Sequence, residues 1–249
     1  MSAKNIYETT SFILRLKECD QDQYVRLAII PKTLPYAVGT IEIGSGDSEI
    51  LRIDVAADYE KEKYIEELIR LSVLHLIRDF KIKSLKIQTL NTPFGIPLLK
   101  KYGFVPSTIF PPELEYYERP VVKVFDADKG IAFCGLACCV CSENKTCDGC
   151  RKHDCRDREK CKNYNCCKSK KLEGCWECSD FPCDCPMYVQ LRTKTFAKYA
   201  ARNGLESLIR ALKNNEERRV IYHYEGQLTG DYDLFQSEEE IIQFINCGL

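Results

Sequence analysis

Fourteen of the chain's sixteen cysteines lie between Cys134 and Cys185, and no other stretch limits the fold as strongly. The residues separating them are mostly Lys, Arg, Asp, Glu and Asn, with Leu136, Val140 and Leu172 among the few aliphatic side chains. Such a segment buries too little aliphatic surface to offset the entropy lost on ordering it. Cross-links must then hold it, either disulfides or metal. Three pairs, Cys138 with Cys141, Cys147 with Cys150 and Cys175 with Cys178, have the CxxC spacing that turns two thiolates toward one tetrahedral ion. Asp148 and Gly149 inside the second pair, and Gly174 before the third, suit the tight turns that spacing needs.

Cys161 and Cys166 form a looser pair, and Cys134, Cys155, Cys183 and Cys185 are singles able to complete sites. At four thiolates per zinc the segment has ligands for two or three ions, leaving Cys139 and Cys167 over. One expected site takes Cys138, Cys141, Cys147 and Cys150. A second takes Cys161, Cys166, Cys175 and Cys178. Cross-braced pairings fit the same spacing and stay open. Disulfides would need an oxidising compartment, and the first residues contain no apolar signal region, so reduced thiols in the cytoplasm are expected. Iron accepts the same thiolates, which keeps an iron–sulfur or redox protein as an alternative, although the ferredoxin run C-x2-C-x2-C-x3-C-P is absent.

Charge argues against two classes of partner. The formal net charge is −1, and basic and acidic side chains nearly balance within the cysteine segment. Nucleic-acid binding needs surplus positive charge to displace counterions, and none is present. No run of about 18 apolar residues exists to cross a membrane. Arg151, Lys152, Arg156, Lys162, Lys168, Lys170 and Lys171 read instead as local compensation for thiolate charge. A partner, protein or small molecule, is not identified by the sequence.

The string Cys134-Gly135-Leu136, then CxxC, then Cys147-Asp-Gly-Cys150, then Cys-Trp-Glu-Cys-Ser-Asp-Phe-Pro-Cys at 175–183 resembles a prokaryotic cysteine-rich domain of unknown function. Members of that family open on Cys-Gly-Leu and close on Phe-Pro-Cys. The resemblance implies a metal-binding module and no particular activity.

Upstream, residues 12–16, 24–30, 36–43 and 50–55 are short runs rich in Ile, Val and Tyr, separated by turn signals, and are predicted strands. A helix is predicted over 58–80, with Ile65, Leu68, Ile69, Val73, Leu76, Ile77 and Phe80 on one face and Asp58 as its cap. A strand over 85–90, a short helix over 97–102 and a strand over 121–125 follow. Residues 52–69 and 87–104 are similar to the strand–loop–helix and the strand–Asn–helix–Gly-Phe of the GCN5-related N-acetyltransferases (GNAT). That resemblance implies acetyl-CoA held by backbone N–H groups at a helix N-terminus through Gln/Arg-x-x-Gly-x-Gly/Ala. Here Glu60, Lys63 and Ile65 stand at the matching positions, which makes the pyrophosphate loop degenerate. Lys61, Lys63 and Asn91 are the cofactor-binding candidates. Tyr102 is the tyrosine nearest the family's proton donor.

Beyond Pro186 the pattern predicts a helix over 187–203 ended by Gly204, and a second short helix through Leu205, Leu208, Ile209 and Leu212. A hairpin around Glu225-Gly226 is predicted, then a capping box of Ser237 and Glu240 before a last helix. His223, Glu225, Asp231 and Asp233 cluster in this tail without a spacing that selects a site, and His153 is a spare zinc ligand. The expected architecture is an α/β domain over 1–128 with a GNAT-like mixed sheet and helices. A small zinc-stabilised cysteine-rich domain over 129–186 follows, and then a helical tail over 187–249 packed on it. The expected function is a zinc-binding protein with a binding or regulatory role. An acyl-CoA-dependent N-acetyltransferase with a non-standard CoA site is the enzymatic alternative.

Overall fold

The computed structural model describes residues 5–20, 24–44, 49–89, 92–143, 146–152, 155 and 157–247. Two compact units divide the chain, Met1–Val121 and Val122–Leu249.

The first unit is an α/β layer on an eight-stranded mixed sheet. Its strands are β1 (Ile6–Glu8), β2 (Phe12–Asp20), β3 (Tyr24–Pro31), β4 (Gly39–Gly44), β5 (Ile50–Val55), β6 (Lys86–Gln88), β7 (Val105–Pro106) and β8 (Tyr116–Glu118), in the order β1-β2-β3-β4-β5-β6-β8-β7. Every pairing is antiparallel except β5 with β6. Alternation sets the register: Leu27 pairs with Ile41 and Ile41 with Ile53, all buried on one face. On the other face Arg26 pairs with Glu42 and makes an ion pair of 2.6 Å.

The parallel step needs a crossover, supplied by α1 (Glu62–Leu71), a π turn over Ser72–Leu76 and α2 (Ile77–Asp79). The Ser72 hydroxyl donates to the Leu68 carbonyl at 2.8 Å, next to the widened turn. This helix starts later than its periodicity predicts. Asp58 lies in a 3-10 turn (Ala57–Tyr59), and the cap is Lys61, without a side-chain bond. Tyr59 and Tyr64 pack on Phe12 at 6.0 and 5.3 Å, which pins the chain ahead of the first helical turn. A short helix, α3 (Gly95–Lys101), precedes Gly103.

In the second unit the predicted strand over 121–125 is absent: after Pro120 the Val124 N–H donates to the Glu216 carboxylate at 2.9 Å instead of to a neighbouring strand. Four helices are described, α4 (Lys162–Lys170), α5 (Leu191–Asn203), α6 (Leu205–Glu217) and α7 (Glu238–Asn246). Gly204, with φ +83°, ends α5 and opens α6, a conformation that favours glycine. The Ser237–Glu240 capping box is formed. Phe196, Leu208, Leu212, Tyr232, Phe244 and Ile245 build the core between α5, α6 and α7. The predicted hairpin is a turn without a strand ladder, because the buried Asp231 carboxylate takes the Ile221 N–H and the Tyr224 hydroxyl, each at 2.8 Å.

The cysteine segment has more of an apolar interior than its aliphatic residues alone would give. Phe133 and Tyr188 are buried with Ala197, and Tyr164, Trp176 and Phe181 pack around them. The Phe133–Tyr164 and Phe181–Tyr188 rings meet edge-on at 5.6 and 5.1 Å. Gly135, at φ +101°, lets the segment lie against α5: a Cβ there would stand 2.7 Å from the Thr193 carbonyl oxygen.

Candidate metal centre

Among the described residues every cysteine between Cys134 and Cys185 is a free thiol. Short 3-10 turns, Cys138–Val140 and Cys175–Glu177, set the first and third CxxC pairs, and Gly149 at φ +82° sets the second. Burial first, and then repulsion from Cys150, Cys141, Cys147 and Cys155, pushes the Cys138 thiol up to about 12. Cys134 is buried near Cys150, Cys138 and Cys161. Burial raises the Cys155 thiol, and the charges of Cys147 and Cys161 add to the shift. Thiols gathered in this way resist ionising together, and a bound cation reverses that preference.

Six further cysteines wall a separate cavity, Cys166, Cys167, Cys175, Cys178, Cys183 and Cys185. Two placements bear on the expected grouping. Cys161, grouped in the sequence reading with Cys166, Cys175 and Cys178, is among the charges that act on Cys134, Cys150 and Cys155, and it does not line this cavity. It is the residue that opens α4, still in extended backbone, and the helix starts beyond it. Cys167, set aside as surplus, has its sulfur 3.6 Å from that of Cys175. Cys139 is fully buried, and burial pushes its thiol up to about 12.

The donor chemistry available in this unit is that of reduced cysteines, with no disulfide among the described residues. Among the described residues no group of three or more His, Cys, Asp or Glu side chains is placed to hold a metal ion. His153, Arg156 and Asn91 lie outside the described residues.

Sequence reasoning missed one polar cluster. Arg192, 1% exposed, donates to the Tyr222 carbonyl at 2.9 Å, to Asp233 at 2.7 Å and to the Leu228 carbonyl at 3.1 Å. Its other face meets His223 Nε2 at 3.3 Å, and His223 Nδ1 lies 3.6 Å from the Cys141 sulfur. Burial and the adjacent guanidinium lower His223 to about 4, so the ring is neutral at pH 7. Burial also pushes the Asp233 carboxyl up, against the pull of Arg192. Glu225 is exposed and outside the cluster. Arg151 binds the Ile131 carbonyl and, at 2.8 Å, the Glu173 carbonyl, and its charge pulls the Cys150 thiol down against the effect of burial. Lys170 does reach a sulfur, that of Cys178, at 3.2 Å.

In the first unit the start of α1 does not fit a pyrophosphate. Glu60 and Glu62 are exposed there, where anionic groups would have to sit. Lys61 is exposed, the Lys63 ammonium lies 4.5 Å above the Tyr64 ring, and Ile65 points into the core at 3% exposure. Leu98 and Leu99 are core residues, and the buried Tyr102 hydroxyl donates to Glu66 at 3.0 Å. Burial and the Glu66 charge push that phenol well above its usual range.

No protein-family model matches the chain, and no curated protein matches it. Among solved structures, a provisionally assigned acetyltransferase of Sphaerobacter thermophilus is 13% identical over 45% of this chain and 96% of its own, with a TM-score of 0.36. A provisionally assigned ribosomal-protein-serine acetyltransferase of Vibrio cholerae is 12% identical over 47% and 96%, with a TM-score of 0.32. Likenesses this distant leave function to the residues themselves. No helix among the described residues is long and apolar enough to cross a membrane.

Proposed function

We propose that this chain is a thiolate metal-binding protein: the unit Val122–Leu249 takes zinc, and the GNAT-like unit Met1–Val121 serves a binding or regulatory role without acyl transfer. What supports the reading is that Cys138, Cys141, Cys147, Cys150 and Cys155 are free thiols, the first four at CxxC spacing, and that the charges of the other four act on Cys138. One zinc on four of these thiolates would close a tetrahedral site. That set contains the four ligands inferred from the CxxC spacing, with Cys155 as an alternate. The role given to the first unit rests on the misfit at α1, where carboxylates occupy the family's phosphate position.

The test is elemental analysis of the full chain purified reduced and without chelator. Colourless protein with stoichiometric zinc is the expected result. A metal-free protein that is nonetheless compact and protease-resistant would overturn the reading, and a brown, iron-containing one would replace zinc with an iron–sulfur centre. Acetyl-CoA at about 1 mM is expected to leave Tm unchanged. A rise with ligand concentration would instead establish binding by mass action and favour the acyltransferase.

A further inference from the structure

Two of the thiols that wall the cavity behind α4 are already in contact. The cavity has a volume of about 170 Å³, and both Cys167 and Cys175 line it. Their sulfurs lie 3.6 Å apart, in residues that are 1% and 6% exposed. Backbone geometry builds this contact. Lys171, at φ +55°, turns the chain back at the end of α4, and the Leu172 N–H donates to the Cys167 carbonyl at 2.9 Å. The returning segment is anchored where the Cys175–Glu177 turn begins, by the Cys175 N–H on the Phe133 carbonyl at 2.8 Å.

The other sulfurs of the wall are engaged elsewhere or turned away. The buried Asn163 amide takes the Cys185 thiol on Oδ1 at 2.7 Å and donates from Nδ2 to the Cys175 sulfur at 3.2 Å. One side chain therefore fixes Cys175 and keeps Cys185 on the opposite end of the amide. Cys178 accepts from the Lys170 ammonium at 3.2 Å. Cys166 adjoins Cys167 on α4, but consecutive helical side chains do not face the same point. Cys166 and Cys183 are exposed. Cys167 and Cys175 are the pair that the fold has set together.

We propose that this cavity is an oxidative modification site for hydrogen peroxide, at which Cys175 takes the first oxygen and Cys167 then closes a disulfide with it. Cys175 attacks because it is the more accessible of the two and its sulfur is held by Asn163. The sulfur attacks one peroxide oxygen: an S–O bond forms, the O–O bond breaks, and the departing hydroxide takes the thiol proton to become water. The Cys167 sulfur next attacks the sulfenic sulfur. An S–S bond forms, and the S–OH oxygen leaves with the Cys167 proton as a second water. Two thiols are oxidised and one peroxide is reduced. The disulfide ties the last turn of α4 to the Cys175–Glu177 turn. A disulfide made on demand is the kind that suits a chain whose thiols are otherwise reduced. Neither cysteine belongs to the four offered for zinc above, so the proposal goes beyond that reading and stands apart from it.

The experiment is a hydrogen peroxide titration of the reduced full chain. Remaining thiols are blocked with N-ethylmaleimide, the chain is digested without reductant, and linked peptides are read by mass spectrometry. The expected first product in the folded protein is the Cys167–Cys175 link, lost on adding dithiothreitol and replaced by mixed links when the chain is oxidised in urea. In Cys167→Ser the expected product is a sulfenic acid on Cys175, trapped by dimedone. If the folded wild type links other pairs first, is oxidised only at the exposed Cys166 and Cys183, or stays fully reduced, the proposal is refuted. The link is read in the wild-type chain, so a variant that does not fold leaves the decision intact. Zinc measured in the same samples reports on Cys138, Cys141, Cys147 and Cys150, which keeps a failure of the metal reading distinct from a failure of this one.

Discussion

His223 stands between two groups that together fix its proton: Nε2 faces the Arg192 guanidinium at 3.3 Å and Nδ1 faces the Cys141 sulfur at 3.6 Å. A guanidinium can only donate, so Nε2 accepts and the proton resides on Nδ1. The ring then donates an N–H to Cys141, the kind of outer contact that orients and stabilises a ligating thiolate. On the zinc-binding reading proposed above, His223→Ala is expected to weaken zinc binding at Cys138, Cys141, Cys147 and Cys150 by roughly 10- to 100-fold. Competition with a chromophoric chelator measures this, and an unchanged constant would remove His223 from the site.

Arg192 is the electrostatic centre of the tail. Replacing it with Met leaves Asp233 without its cation and frees the Tyr222 and Leu228 carbonyls. Breaking one side of a buried ion pair costs about 3–5 kcal/mol, and the urea midpoint should fall accordingly. Arg192→Lys is expected to recover only part of the loss, since an ammonium lacks the planar fork these acceptors require.

Gly135→Ala tests the approach of the Cys-Gly-Leu turn to α5. At φ +101°, with Thr193 O 2.7 Å from the new Cβ, the variant must strain its backbone or move the helix. A loss of at least about 1–3 kcal/mol is expected in denaturant unfolding.

Glu238, at the first turn of α7, makes ion pairs of 2.7 Å with Lys198 and 3.0 Å with Lys194. Burial raises its carboxyl, but the hydrogen bonds and charges of Lys198 and Lys194 outweigh that and hold it below the usual carboxylate range. A lowered folded pKa means stability that is complete above the unfolded value, near 4.5, and lost as pH falls through the folded one. Glu238→Gln should therefore cost about 0.5–1 kcal/mol at pH 7. The gap to the wild type should narrow as both proteins are unfolded at progressively lower pH.

What the sequence made legible was whatever had a local cause. The 3.6-residue period of Leu205, Leu208 and Leu212, the Ser237–Glu240 box and the alternation of Ile41 and Ile43 depend on near neighbours. What it hid depended on distant ones. Residues 121–125 have strand composition, but the Val124 N–H found a carboxylate at Glu216. Arg192 reads as an ordinary helix cation until Tyr222, Leu228 and Asp233 are folded beside it. The surroundings of the cysteines beyond each CxxC pair were hidden for the same reason. CxxC spacing joins two sulfurs within a turn, whereas the side of α4 on which Cys161 and Cys167 fall is decided by where that helix begins.

On α4 one sulfur of an adjacent pair, Cys166, is open to solvent while its neighbour Cys167 is 1% exposed. An alkylating reagent therefore meets two chemically identical groups at very different rates, and the second reacts only after the helix lifts from Phe133 and Cys175. The order in which mass is added at these positions gives a direct clock for local opening of the segment, independent of any global unfolding signal.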